Sequence, residues 1–244
     1  MNKIVICIKH IHNIGINYFD LYALEEGVQL KEQNQDNSKV IVFTMGPRGS
    51  ESTLRTAISK GADEAYLLTD DKFFKGSDTI ATSYILATAI KLLVGQYKII
   101  ICGKKTYDSG TEQVGPAIAT MLNIPHVSYV REIKSINQRR LTVERVVDDG
   151  YETIRSSLPV LLTVTNGVHK PRIASIKSKL LARKANIKIF NAYDLDINTS
   201  KIGLYGSPTQ VVSLYTKKKK LKKKFSGSAR YIVSSFIKQF NNSI

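Results

Sequence analysis

Apolar residues in the first half of the chain alternate between short β-branched runs and stretches with helical spacing. The runs predict strands over Lys3–Ile8, Val40–Phe43, Glu64–Leu68 and Lys98–Cys102. Between them, apolar residues recur every three or four positions, which predicts helices from Asp20 as N-cap, over Ser50–Lys60, over Thr79–Leu93, and up to about Met121. Strands that alternate with helices through short connections form a parallel sheet with helices on both faces.

From Val127 the pattern changes to short strands separated by turn residues, in SYVREIKSI, RRLTVERVV, YETIRSS and VLLTVT. This predicts a short antiparallel extension that completes the sheet. Beyond Asn166-Gly167 regular patterns become sparse, apart from a short helix predicted over Tyr231–Phe240. We therefore predict an α/β fold with a doubly wound, mostly parallel sheet, a short antiparallel extension and an extended C-terminal arm.

The net charge of +16 is unevenly distributed along the chain. Residues 1–168 contain 19 Lys and Arg against 18 Asp and Glu, whereas residues 169–244 contain 17 against 2. The body is thus nearly neutral and the extension carries about +15. This distribution disfavours a nucleic-acid-binding surface spread across the fold and favours a basic extension that lies on a partner.

The densest basic segment is KKKKLKKK, Lys217–Lys224. A solvated linker explains it best, because few aromatic residues are interleaved with the lysines. Binding of nucleic acid or an anionic membrane surface through this run is the alternative. We predict no nucleic-acid partner.

The two cysteines and the chain start bear on location. Cys7 and Cys102 each lie in an apolar strand, which predicts buried free thiols and a reducing compartment. No signal-peptide layout and no run of about 18 apolar residues occurs. We expect a cytoplasmic protein without a transmembrane segment.

Ligands of parallel α/β sheets bind at the carboxyl ends of the strands. Of the four stretches there, Gly103–Val114 is richest in glycine, threonine and amide groups, and it leads into a helix whose free N–H groups suit an anion. A capped helix without a ligand explains the same residues, and on local pattern alone it is the more frequent case.

Catalytic chemistry finds little support in the sequence. His10 and His12 have no further His or Cys at metal-ligand spacing, and no Ser-His-Asp arrangement is identified. Helix capping and solvent exposure explain the carboxylates Asp78, Asp108 and Glu112. We predict no catalytic residue and no metal site.

Several segments together resemble the electron transfer flavoprotein β subunit. They include KIVICIKH, LYALEEGVQLKE, VFTMGP, DTIATSYILATAI, LNIPHVSYVREI and LTVERVVDDGYETI, in order up to about Ile176. The resemblance implies an adenine nucleotide alpha hydrolase-like fold in a heterodimer with an α subunit. That pair carries electrons between acyl-CoA dehydrogenase-like enzymes or NADH and acceptor flavoenzymes. It also implies that residues 1–168 bind the nucleotide and that 169–244 dock partners and wrap the α subunit.

The resemblance further implies a cofactor, FAD or alternatively AMP. The positions that hold the nucleotide in this family correspond here to Cys7, Lys9, Asn17, Tyr18, Phe19, Asp20, Met45, Gly103, Lys104, Lys105, Thr106, Asp108, Ser109, Gly110, Thr111, Glu112, Gln113 and Val114. The segments FKGSDTIATSYILATAI and DSGTEQVGP are closer to the electron-bifurcating branch, which favours FAD. Asp78, Thr79 and Thr82 would then be further contacts, and Thr111 and Gln113 would approach the pyrophosphate.

The same resemblance places partner docking at Pro171, Arg172 and Ile176. This chain departs from the family pattern at Tyr18, where a proline is usual, and at Val146, where a glutamate is frequent. A stand-alone adenine-nucleotide-binding regulatory module is the alternative function that we keep.

Overall fold

The computed structural model describes residues 2–33, 37–167, 169–210 and 227–241. The chain divides into two compact units, Met1–Gln210 and Val211–Ile244, which are described separately. The lysine run Lys217–Lys224 lies outside the described residues, so its role stays a prediction. In the second unit the structure describes one helix, α7 (Ala229–Asn241), where the periodicity predicts a helix.

In the described part of the first unit the strands are β1 (Lys3–Cys7), β2 (His10–Ile11), β3 (Gly15–Ile16), β4 (Lys39–Met45), β5 (Glu64–Leu68), β6 (Ile99–Gly103), β7 (His126–Ile136), β8 (Arg140–Val147), β9 (Gly150–Ser157), β10 (Val160–Val164) and β11 (Lys188–Phe190). The α-helices are α1 (Tyr18–Gln33), α2 (Glu51–Ser59), α3 (Asp71–Phe74), α4 (Thr79–Ala89), α5 (Val114–Leu122) and α6 (Ile176–Lys184). No helix of the described residues is long and apolar enough to cross a bilayer.

Nine of these strands form one sheet in the order β11-β5-β4-β1-β6-β10-β7-β8-β9. Neighbours from β11 to β7 are parallel, and β7, β8 and β9 form the antiparallel extension. The predicted fold class is confirmed. The pattern predicts VLLTVT in the antiparallel extension, but this segment is β10, which pairs in parallel between β6 and β7, an arrangement that local periodicity does not report. Among the described residues, β2 pairs with β3 alone.

Two apolar cores cover the two faces of the sheet. Ile4 and Ile6 of β1 face one core with Leu24 of α1, whereas Val5 faces the other core with Ile85 of α4. Both faces of a central parallel strand are buried in this way, which is why β1 reads as a continuous apolar run rather than an alternating one.

The structure corrects several predicted boundaries. Helix α1 begins at Tyr18, so Asp20 is not its N-cap but lies inside the first turn and is buried. The helix predicted over Thr79–Leu93 is α-helical only to Ala89 and continues as a π-helical turn over Ile90–Val94.

Regular structure also occurs where the sequence pattern is sparse. Helix α6 packs against α2, and β11 extends the sheet beside β5. Residues 169–210 therefore belong to the first compact unit. Their assignment to partner docking stays a prediction.

Candidate functional site

The carboxyl ends of β1, β4 and β6 lie side by side at one edge of the sheet. Cys7 is in register with both Phe43 and Cys102, so the segments that follow these strands leave the sheet together. Residues from Lys9 onward, from Met45 onward and from Gly103 onward therefore meet at this edge, as the alternation of strands and helices predicts.

Asp20 joins two of these strand ends. One carboxylate oxygen accepts the backbone N–H of Lys9 at 2.7 Å, and the other accepts the backbone N–H of Gly103 at 3.1 Å. Burial raises the pKa of Asp20 to about 7, although the two backbone N–H groups and Lys9 oppose the shift. The Asp20 carboxyl thus has a pKa near 7 and, through its two hydrogen bonds, fixes the backbone around the site.

Asn17 holds the β6–α5 loop (Gly103–Val114) from the other side. Its side-chain amide donates to the carbonyl of Lys105 at 2.9 Å and accepts the N–H of Tyr107 at 3.0 Å. Its own backbone N–H donates to the carbonyl of Lys9. A buried asparagine that pairs both of its polar ends in this way specifies one conformation of the loop.

The tip of the β6–α5 loop is a tight turn. Gly110 donates its N–H to the carbonyl of Thr106 and has φ +61°, a conformation that glycine adopts at little cost. The Thr106 and Ser109 hydroxyls hydrogen-bond at 2.7 Å, and the Lys9 ammonium lies 2.7 Å from Asp108. Because this ion pair is largely exposed, it costs little to redirect Lys9 towards another anion.

Helix α5 begins at the end of this loop. Within the described residues the side chain of Gln113, the N-cap residue, does not cap the helix; its oxygen accepts the Thr79 hydroxyl at 3.0 Å. The first N–H groups of α5 therefore lie at the positive end of the helix dipole without a side-chain cap from Gln113. Thr79 opens α4, so the two helix starts are joined directly.

Two glycines permit this close packing. A Cβ on Gly103 would lie 2.8 Å from the backbone N of Asp20 and collide with its carboxylate, and a Cβ on Gly115 would lie 2.6 Å from Thr163 Cγ2. The β6–α5 loop thus packs directly against α1, and the first turn of α5 packs directly against β10, because these two positions lack a side chain.

Other predicted contacts are occupied within the chain. Asp78 caps α4 through the N–H groups of Ile80 and Ala81, while its second oxygen accepts the backbone N–H and hydroxyl of Thr209. These hydrogen bonds lower the pKa of Asp78 despite the opposing effect of burial. Thr82 follows in the same helix and donates its N–H to the carbonyl of Asp78.

The remaining predicted residues have varied surroundings. Cys7 and Cys102 are buried free thiols as predicted; a hydrogen bond with Cys7 and then burial raise the pKa of Cys102 well above its usual value. The exposed Tyr18 hydroxyl pairs with Tyr22, not with the β6–α5 loop.

Phe19 and Met45 complete the set of predicted contacts. The Lys104 ammonium lies 5.2 Å from the centre of the Phe19 ring. Met45 is half-buried against the second apolar core.

Three residues of the site escaped sequence reasoning. Thr209 and Ser207 hold Asp78, and Tyr129 donates its hydroxyl to Glu112. No local pattern signals these contacts, since each joins segments from different elements.

The predicted docking residues lie elsewhere in the first unit. Arg172 donates to both carboxylate oxygens of Glu25 and of Glu32, so its guanidinium is used inside the chain. Ile176 begins α6 and is 79% exposed, next to Ile173 at 92%. Of the predicted docking residues described here, Ile176 presents an apolar side chain to solvent.

Comparison with known proteins decides the family. A family model described as electron transfer flavoprotein domain matches residues 4–195. This chain belongs to the electron transfer flavoprotein family. It therefore has a role in electron transfer, as the resemblance predicts.

Individual relatives agree with the family model. The chain is 42% identical over 229 residues to the electron transfer flavoprotein subunit beta of Thermoanaerobacterium thermosaccharolyticum, covering 93% of this chain and 86% of that protein. It is 40% identical over 205 residues to the same subunit of Megasphaera elsdenii, covering 82% and 75%. It is 41% identical over 196 residues to the caffeyl-CoA reductase-Etf complex subunit CarD of Acetobacterium woodii, covering 80% and 73%. Such coverage confirms the β-subunit resemblance along most of the chain.

Proposed function

We propose that this chain is the β subunit of a heterodimeric electron transfer flavoprotein and that it binds FAD at the β6–α5 loop, with AMP as the alternative nucleotide. The observation that supports this most is the convergence of Asn17 and Asp20 on that loop. Together they hold it at the strand ends, beside the start of α5.

The donors at this site suit a phosphate group. Backbone N–H groups at the start of α5 and the ammonium groups of Lys9, Lys104 and Lys105 supply positive charge, and Thr111 and Gln113 supply polar side chains. A diphosphate or a single phosphate would be held there. A bound flavin would supply the redox chemistry, and this chain would bind and orient it.

FAD is favoured over AMP on sequence grounds. The segments around Asp78-Thr79 and Gly110–Val114 resemble those of the electron-bifurcating branch. If FAD is bound, Thr79 and Thr82 would be further contacts in the first turn of α4. Asp78 then acts through the start of α4, because its oxygens already accept hydrogen bonds within the chain.

The cofactor is tested by counting nucleotides. The chain is co-expressed with its cognate α subunit, the purified heterodimer is denatured, and released FAD and AMP are quantified by chromatography. We expect two FAD and no AMP per heterodimer. One FAD and one AMP would overturn the FAD assignment, and a β subunit without either nucleotide would overturn the proposed function.

The role of Asn17 is tested with a matched control. Asn17→Ala removes the hydrogen bonds to Lys105 and Tyr107 and should lower nucleotide content. Asn137→Ala removes an asparagine whose side chain also makes two hydrogen bonds to the backbone, accepting the N–H groups of Arg139 and Arg140, but in the β7–β8 turn. We expect full nucleotide content in that control, and equal losses in both variants would argue against a site at the β6–α5 loop.

We further propose that α6 docks a flavoenzyme of the acyl-CoA dehydrogenase type. The protein would act in the cytoplasm, and NADH would be a second source of electrons. Ile176 supports this docking together with Leu180 and Leu181 of the same helix, because several exposed apolar side chains on a basic helix suit an acidic partner with an apolar pocket. Ile176→Glu should slow electron transfer from an acyl-CoA dehydrogenase without changing nucleotide content. Leu92→Glu, at an exposed position after α4, is the control.

The alternatives make different predictions. A stand-alone nucleotide-binding module would bind its nucleotide without an α subunit, which family membership disfavours. A nucleic-acid or membrane-surface binder would show steeply salt-dependent binding that is lost when Lys217–Lys224 is deleted.

A further inference from the structure

A β-bulge lies in β7 opposite Thr163, the residue of β10 that packs against Gly115 in the first turn of α5. Val127 is in register with Leu162, and Val130 with Val164, so two residues of β7 face Thr163 alone. One of these two is Tyr129, whose N–H donates to the Thr163 hydroxyl at 3.2 Å. Bulges redirect side chains and are frequent next to functional sites.

The backbone of Tyr129 is strained at this position. Its φ is +61°, in the left-handed region that bulky residues rarely occupy. Glycine would fill such a position without strain, so the tyrosine side chain itself must contribute something.

The side chain of Tyr129 reaches the β6–α5 loop. Its hydroxyl donates to a carboxylate oxygen of Glu112, across 17 positions of sequence, and Lys104 lies 5.4 Å from the centre of its ring. Glu112 itself has φ +61°, and the Lys105 ammonium lies 3.9 Å from its carboxylate. Two residues in left-handed conformations are thus joined by one hydrogen bond.

Glu112 lies two positions before Val114, the first residue of α5. A carboxylate there is attracted to the positive helix end and can accept the first N–H groups. Those N–H groups are the ones assigned above to the nucleotide phosphate. A released Glu112 would therefore compete with the ligand through its charge and through its hydrogen bonds.

We propose that Tyr129 is a positioning residue that holds the Glu112 carboxylate away from the start of α5 and so keeps that site open to the phosphate of the nucleotide. This inference rests on the proposed function, because it assigns a role to a residue of the same site. It concerns affinity for the nucleotide and not the redox reaction.

The test is a double-mutant cycle on nucleotide-stripped heterodimer, titrated separately with FAD and with AMP by calorimetry. Tyr129→Phe removes only the hydroxyl and should weaken the better-bound nucleotide about threefold to tenfold, the equivalent of one hydrogen bond. Glu112→Ala should bind at least as tightly as the wild type, because in this proposal the Glu112 carboxylate opposes the phosphate and is not the nucleotide contact that the resemblance implies. The double variant Tyr129→Phe/Glu112→Ala should match Glu112→Ala, because no competing carboxylate remains.

The alternative outcomes are distinct. A double variant as weak as Tyr129→Phe would show that Tyr129 only stabilises the fold, and unchanged affinity in Tyr129→Phe would also overturn the inference. Tyr193→Phe, at a tyrosine that is 93% exposed, controls for loss of a hydroxyl, and urea unfolding checks the stability of each variant. A wild-type heterodimer that binds neither FAD nor AMP would overturn the proposed function itself.

Discussion

Titration of Asp20 provides a direct test of how the site is built. Asp20 is 4% exposed, and burial raises the pKa of its carboxyl from 3.8 to about 7. Between those pH values the folded chain holds a proton that the unfolded chain has released. The free energy of unfolding should therefore fall as the pH rises through this window, by about 1.4 kcal/mol per pH unit and about 4 kcal/mol in total.

The perturbation is Asp20→Asn, which keeps the shape and removes the titration. An amide has one acceptor oxygen for two backbone donors, so the N–H of Lys9 or of Gly103 would be left unpaired, at a cost of about 1–3 kcal/mol. Wild type should be the more stable near pH 5. The difference should shrink by about 1.4 kcal/mol per unit as the pH rises towards 7.

The assay is urea unfolding followed by circular dichroism, since the chain contains no tryptophan. Wild type and Asp20→Asn are compared at pH 5, 6, 7 and 8, and other titrating groups cancel in the difference. A difference that stays constant over this range would refute the reasoning, because it would mean that Asp20 is ionised throughout.

Three further predictions follow from named contacts. Gly103→Ala should destabilise the chain by at least about 2 kcal/mol, because its Cβ would collide with Asp20, whereas Gly49→Ala, with open space around it, should not; thermal unfolding compares them. Arg172→Lys should cost roughly 2 kcal/mol in urea unfolding, less than a fully buried pair since Arg172 is partly exposed; Arg145→Lys should cost little, because its partner Glu152 is exposed whereas Glu25 is buried. Hydrogen bonds from Lys188, and then from Lys39 and Tyr66, lower the pKa of Glu64 to about 2. The ionised Glu64 carboxylate therefore stabilises the fold above pH 4.5, and this contribution is lost as the pH falls towards 2. Glu64→Gln should flatten that part of the acid unfolding curve.

Local sequence patterns were sufficient to predict the parallel sheet and the position of the β6–α5 loop. Apolar periodicity reports which faces of a strand or helix are buried, and alternating strands and helices leave few arrangements for the sheet. The loop after β6 was identifiable because ligands collect at strand ends. The family resemblance added the individual residues.

Tertiary structure alone decided how those residues act. Aspartate is a common helix N-cap residue, but the Asp20 carboxylate instead accepts the backbone N–H of Gly103, 83 positions away. The pairing of β10 beside β6 places Thr163 under Gly115, and the bulge opposite Thr163 brings Tyr129 to Glu112. These contacts depend on which strands become neighbours, and periodicity carries no information about that choice because every buried strand of the sheet shows the same apolar pattern.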